Sequence, residues 1–173
     1  KEGDIVLPLD RENWVQQKLV AENNLILLPN NIDPIQLSML KVNPATAYLM
    51  LTKYVNLKEG DWIIQDAANS GVGQCIIRLA KTIGIKTVNI VRRKELKEEL
   101  KNIGADVVVE DTQNLPEEVK QLTNGADIKL AIDAVGGDIV LRLGDCLAEK
   151  ATILNYGLLS GKNIEMTSFQ TVF

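Results

Sequence analysis

Histidine is absent from all 173 residues. That alone removes Ser-His-Asp triads, His-activated cysteines and His-ligated metals from consideration. Cysteine is scarce: Cys75 and Cys146 are too few for a disulfide scaffold or a four-thiolate zinc site, and read as reduced intracellular thiols. No apolar run approaches the roughly 18 residues a membrane span needs. Positive charge is not in excess either. With 19 Lys+Arg against 23 Asp+Glu the formal net charge is −4, which argues against a nucleic-acid groove and leaves room for a small basic patch. What is present is ordinary for a folded chain: 46% hydrophobic and 24% charged residues, enough for one domain with a proper core. The chain opens on Lys1 and stops at Phe173 inside a polar-apolar stretch. The expectation is a fragment of a longer protein, whose targeting signals are not readable here.

Two zones differ in rhythm. Residues 1 to about 40 hold short extended stretches, Ile5–Leu7, Val15–Val20 and Leu25–Leu28, broken by Pro8, Asn23-Asn24 and Pro29, which is strand-and-turn chemistry. From residue 41 onward helices alternate with buried strands. Asn43-Pro44 reads as a helix start, with the Asn side chain as cap and Pro at the first helical position. Five strands are expected at Trp62–Gln65, Thr87–Val91, Val107–Val109, Leu130–Ile132 and Thr152–Leu154. Helices are expected near Val72–Ile83, Lys94–Ile103, Glu117–Leu122 and Asp138–Leu147. Short uninterrupted apolar strands imply burial on both faces, and alternation with helices implies parallel pairing through right-handed crossovers. The expected fold is α/β, a doubly wound parallel sheet of Rossmann type preceded by a strand-rich piece.

The most informative stretch is Ala67-Ala68-Asn69-Ser70-Gly71-Val72-Gly73-Gln74, which follows a buried strand and opens a helix. Small residues there let the backbone approach a pyrophosphate, whose charge sits against free amides at the helix N-terminus. Laid over G-x-G-x-x-G, the glycine positions are Ala68, Ser70 and Gly73, so the fingerprint is degraded. A strand-to-helix turn that merely needs small residues is the plainer alternative. The end of the second strand adds weight. An NAD site places an acid there, whereas Val91 runs into Arg92-Arg93-Lys94. Guanidinium groups grip a 2′-phosphate that a carboxylate would repel. At about 1.5–3 kcal/mol per charge-assisted bond, two partly exposed ones favour NADPH over NADH on the order of 100-fold. Cations at a helix start also oppose the macrodipole, an unfavourable placement that a ligand would explain; the alternative is a solvated face.

Together with Val42–Tyr48, Gly60-Asp61-Trp62, Ala134-Val135-Gly136-Gly137 and Asn155-Tyr156-Gly157, these motifs resemble the mitochondrial-type trans-2-enoyl thioester reductases. Those are zinc-free members of the medium-chain dehydrogenase/reductase superfamily. The resemblance spans nearly the whole chain, and Asn69-Ser70-Gly71-Val72-Gly73 is its most specific piece. It implies that residues 1–40 end an N-terminal catalytic domain and that 41–173 form the nucleotide domain. It also implies an NADPH-dependent reduction of trans-2-enoyl-CoA or enoyl-ACP in fatty-acid synthesis, with hydride to the β-carbon and protonation at the α-carbon. Cofactor contacts carry over onto Asn43 and onto Asn69, Ser70, Gly71, Val72 and Gly73. They carry over likewise onto Arg92, Arg93 and Lys94, and onto Tyr156, Gly157 and Leu158. No catalytic residue carries over: the family's proposed catalytic tyrosine lies upstream of Lys1, and further cofactor contacts lie beyond Phe173. The resemblance further implies a homodimer, located in the mitochondrial matrix of a eukaryote or the cytoplasm of a bacterium.

A quinone reductase of the same superfamily and a non-catalytic nucleotide-binding module remain as alternatives; a methyltransferase-type domain would leave Arg92-Arg93 unexplained. Cys75 and Cys146 read as packed residues, Asp66 and Asp133 as turn-supporting carboxylates, and Trp14 and Trp62 as packing. Tyr48 and Tyr54 read as packing or surface residues.

Overall fold

A strand buried on both faces must be flanked by helices above and below, and that requirement organises most of this chain. The computed structural model describes residues 1–172 and divides into two units, Lys1–Ala45 and the remainder from Thr46. In the first, β1 (Val6–Pro8) and β2 (Leu25–Leu27) pair antiparallel, with Val6 opposite Leu27. The stretch Val15–Val20, expected as a strand, forms none: Leu19 is fully exposed, and without a partner strand or a surface to cover, an apolar run gains nothing from extension. Trp14 is fully exposed as well, so it is not the packing residue expected. A helix the sequence pattern had not indicated, α1 (Pro34–Ser38), is nucleated by Asp33, whose carboxylate accepts the Ile35 N–H at 3.0 Å. This is an N-cap followed by proline at the first position.

Helix α2 (Asn43–Lys53) starts one residue earlier than the capping argument required, so Asn43 is its first residue instead of its cap. The strands β3 (Trp62–Gln65), β4 (Lys86–Val91), β5 (Val107–Glu110), β6 (Ile128–Asp133) and β7 (Thr152–Asn155) follow. Between them run α3 (Gly71–Thr82), α4 (Leu96–Asn102), α5 (Leu115–Leu122) and α6 (Ile139–Asp145), and α7 (Ser168–Val172) comes last. All five strands are parallel, in the order β5-β4-β3-β6-β7. The chain starts in the middle, winds outward to β5, then crosses back to β6, which is a doubly wound sheet with its reversal between β3 and β6.

Strand alternation sends neighbouring residues to opposite layers. Ile64, Val88, Ile90 and Ala131 meet α5 and α6 through Leu115, Val119, Ile139, Val140 and Leu143. Ile63, Leu130 and Ile132 meet α2 and α3 through Ala47, Met50, Leu51, Ile76 and Ala80. Leu130 is wholly buried at the centre of the sheet. Leu130→Ala is therefore expected to lower stability by about 2–5 kcal/mol, read by urea unfolding. Among the described residues no helix is long and apolar enough to cross a membrane.

Candidate functional site

Where two adjacent parallel strands send their connections to opposite faces, their carboxyl ends leave a crevice. Here that point lies beyond Gln65 of β3, which pairs with Ile132, and beyond Asp133, the next residue of β6. The turn leaving β3 is tight enough to put Ala67 at φ +42°, a left-handed conformation that costs a non-glycine residue of order 1 kcal/mol. Ser70 then caps α3: the Gly73 N–H donates to its Oγ at 3.1 Å. The remaining first-turn amides, Gly71 and Val72, have no carbonyl one turn earlier inside the helix, so they are left as donors at its N-terminus. Gly73 is held against the strand end. A Cβ there would lie 2.6 Å from the Ala68 carbonyl oxygen.

Behind this turn runs a buried polar relay. Gln65 Nε2 donates to Asn89 Oδ1 at 2.7 Å and to the Gly73 carbonyl at 3.1 Å. Asn89 Nδ2 in turn donates to Thr87 Oγ1 at 2.9 Å and to the Val107 carbonyl at 3.0 Å. The relay joins β3, β4 and β5 to the first turn of α3 and fixes where its amides point.

The far wall comes from β6 and β7. Asp133, with no exposed surface, accepts the N–H groups of Val135 (2.9 Å) and Gly136 (2.8 Å) on one oxygen and the Asn155 amide (2.6 Å) on the other. Burial alone would raise its pKa. The hydrogen bonds from Asp66, the two amides and Asn155 outweigh burial and hold it below the usual carboxylate range. Asp66 is also buried, and its Oδ1 accepts the Ala134 N–H at 2.8 Å. Burial, then the hydrogen bond to Asp133, pushes it up to about 8. At neutral pH the pair therefore holds one proton, on Asp66, donated to Asp133. Both carboxyls support the turns that frame the crevice, as the sequence reading expected of them. Tyr156, whose phenol meets Ser70, is raised by burial and stays protonated. Gly157 sits so close that a Cβ would lie 2.6 Å from the Ala134 carbonyl oxygen. Leu158 is more than half exposed. The following residues are laced over the β6–α6 turn by Leu159 N–H to Ala134 and Ser160 N–H to Val135 hydrogen bonds (3.0 and 2.9 Å).

Two cavities occupy the crevice on the β4–β5 side. One, about 360 Å³, is an apolar slot between Ile90 and Val91 on one side and Val135, Ile139 and Leu159 on the other, with Ala67, Asn69, Ser70, Arg92, Asp111 and Ser160 at its margins. The second, about 480 Å³, is formed by Asn69, Arg92, Arg93 and Leu96. Asn69 and Arg92 belong to both, so the two are continuous. Among the described residues Arg92 and Arg93 have no acidic partner. Lys94 lines neither cavity. The three cations precede α4 instead of opening it, and that helix starts at Leu96 with Glu98 and Glu99 in its first turn. The dipole mismatch expected from the sequence is thus absent, because the acids already satisfy it; the guanidinium concavity replaces it as the sign of a ligand.

Sequence reasoning had pointed to Asn69–Gly73, Arg92 and Arg93, and the structure brings these to one place. Tyr156 adjoins Ser70, while Asn43 lies in the first unit. It missed Ile90, Asp111, Ile139, Leu159 and Ser160. For Ile90 the signal existed, since it lies near the carboxyl end of β4. Neither thiol is activated: burial raises Cys75 and pushes Cys146 up to about 12. Among the described residues no group of three or more acidic or cysteine side chains could hold a metal ion.

Residues 71–173 match the family described as zinc-binding dehydrogenase. The chain is 36% identical, over its full length, to the mitochondrial enoyl-[acyl-carrier-protein] reductase of Dictyostelium discoideum, and covers 52% of that protein. In solved structures it resembles the Etr1p/NADP/crotonyl-CoA complex with a TM-score of 0.82 at 29% identity, over 88% of this chain and 48% of that one. It also resembles a Pseudomonas syringae quinone oxidoreductase, at 0.74 and 26%, over 85% of this chain and 45% of that one. The chain spans about half the length of these proteins.

Proposed function

The chain belongs to the zinc-binding dehydrogenase family, with mitochondrial enoyl-[acyl-carrier-protein] reductases among its relatives, and on that premise we propose that it is the NADPH-holding part of an enzyme reducing trans-2-enoyl thioesters, of CoA or acyl carrier protein, in fatty-acid synthesis. The observation that carries the reading is the continuity of an apolar slot with a concavity lined by two unpaired guanidiniums, beside a helix whose first amides are free. The cradle fits a phosphorylated dinucleotide: a base in the slot, a pyrophosphate on the α3 turn, and a 2′-phosphate between Arg92 and Arg93.

In this reading each residue has a stated task. Asn69 and Ser70 with the amides of Gly71 and Val72 hold the pyrophosphate, Gly73 lets that turn approach closely, and Arg92 and Arg93, with Lys94 nearby, neutralise the 2′-phosphate. Tyr156, Gly157 and Leu158 border the nicotinamide end, where Gly157 lets the chain pack against the Ala134 backbone. The contact of Asn43 rests on the family likeness alone. Bound NADPH supplies the hydride for the β-carbon of the substrate. Residues 1–40 would be the last part of a catalytic domain. A homodimer in the mitochondrial matrix completes the reading for a eukaryotic source, with the bacterial cytoplasm as its counterpart.

Titrating the full-length protein with NADPH and NADH tests this. NADPH is expected to bind on the order of 100-fold more tightly, with Arg92→Ala plus Arg93→Ala bringing the two near parity. An unchanged ratio in the double variant would remove the assignment. Turnover of crotonyl-CoA in preference to a simple quinone separates this reading from the quinone-reductase one, which the Pseudomonas likeness keeps in view.

A further inference from the structure

Arg92 stands without an acid although strand register sets a carboxylate beside it. Val91 of β4 pairs with Glu110 of β5, and the ladder runs one step further, the Asp111 N–H donating to the Val91 carbonyl at 3.1 Å. Arg92 and Asp111 are therefore neighbours at adjacent strand ends, and both line the same cavity. A guanidinium so placed ordinarily takes the carboxylate in a two-point pair.

Here another guanidinium has taken it. Arg142 reaches in from α6 and donates Nε to Oδ1 of Asp111 at 2.8 Å and Nη2 to Oδ2 at 3.1 Å, so both oxygens are engaged. Asp138 accepts Nη1 of Arg142 at 2.8 Å and holds it from the other side. The Arg142 side chain is only 12% exposed, which sets this pairing apart from a loose surface contact. Glu110 is engaged elsewhere too, by Lys97 at 3.2 Å. The acids at the end of β5 are thus neutralised from α4 and α6, and not by the arginine next to them. A carboxylate paired with Arg92 would have to be displaced before a phosphate could take its place, and would repel that phosphate if it stayed. A ligand lacking the phosphate would meet neither penalty.

We propose that Arg142 is a specificity-determining positioning residue: by sequestering Asp111 it keeps Arg92 free for the 2′-phosphate of the dinucleotide. This rests on the dinucleotide reading above and deepens it, because it makes NADPH preference depend on a side chain in α6 that acts through Asp111 and Arg92.

Calorimetric titration of the full-length protein with NADPH and NADH tests this. Arg142→Gln removes the charge and keeps an amide donor toward Asp111. It is expected to cost about 10-fold in NADPH affinity, the worth of one partly exposed charge-assisted contact, with NADH held within about twofold. Adding Asp111→Asn removes the released carboxylate and is expected to restore the NADPH-to-NADH ratio of the unaltered protein. A merely structural tie between α6 and β5 would weaken both ligands equally in Arg142→Gln, and the second substitution would bring no rescue. Either result overturns the proposal. A crystal structure of the unaltered protein with NADPH gives a reading independent of how the variants fold. Asp111 on Arg142 with Arg92 on the 2′-phosphate is the expected arrangement; Asp111 on Arg92, or Arg142 itself on the phosphate, overturns it. Where the unaltered protein prefers NADPH and Arg142→Gln leaves the ratio unmoved, the proposal alone falls. An unaltered protein without that preference removes the dinucleotide reading, and the proposal with it.

Discussion

Gly73→Ala is expected to weaken NADPH binding on the order of 100-fold and to lower stability by roughly 1–3 kcal/mol. Alanine is the better helix former by about 1 kcal/mol, so the sign is decided by sterics. The added Cβ would meet the Ala68 carbonyl oxygen at 2.6 Å and its carbonyl carbon and Cα at 2.8 Å, all backbone. No side chain can swing aside. The N-terminus of α3 must lift off the end of β3, breaking the Gln65-to-Gly73 hydrogen bond and re-aiming the amides of Gly71 and Val72. Loss of two charge-assisted contacts accounts for the affinity change. Calorimetry and urea unfolding read the two effects, and a variant that binds normally would show that the close packing of this turn is not what shapes the cradle.

The second large effect is in pH dependence. Asp66 keeps its proton up to about pH 8 in the folded chain, whereas an unfolded aspartate loses it near 4. Through that window the native state holds the extra proton. Stability therefore falls as pH rises, by up to about 1.4 kcal/mol per pH unit, and levels off above 8. Asp133 works in the opposite sense, since its lowered pKa costs stability only as pH falls through the acid range. Asp66→Asn copies the protonated acid: its carbonyl accepts from Ala134 and its amide donates to Asp133, with nothing to ionise. The variant is expected to gain on the parent steadily from pH 5 to 8, by on the order of a few kcal/mol at the upper end. Thermal melts at stepped pH check this. Parallel curves would mean that the pair does not share a proton as described.

How far the sequence disclosed all this varies by feature, for physical reasons. The sheet was legible because five short apolar runs, separated by helical patterns, admit few arrangements, and each expected strand lies within two residues of its observed ends. The phosphate turn was legible because close backbone approach demands small residues in consecutive positions. Local cues failed in the first forty residues, where Val15–Val20 had strand composition and nothing to pair with. They failed at Asp111 too. A lone acid after a strand resembles any solvated residue until Arg142, thirty-one positions later, is seen to grip it. Likewise Asp66 shows itself as a protonated group only when Asp133 is brought beside it, sixty-seven residues on. Contacts within a turn write themselves into neighbouring letters. Those made across the sheet do not.

That distinction bears on the order of assembly. The cradle for the phosphates is built from one contiguous stretch, β3 through Arg93, whereas the opposing wall exists only after Trp62 has found Ile128, more than sixty positions away. Closing so long a loop is entropically slow compared with forming a neighbouring crossover. During refolding, secondary structure in the first half is expected to precede any capacity to hold the whole ligand, and a fluorescent dinucleotide would register the last docking event in place of the first collapse.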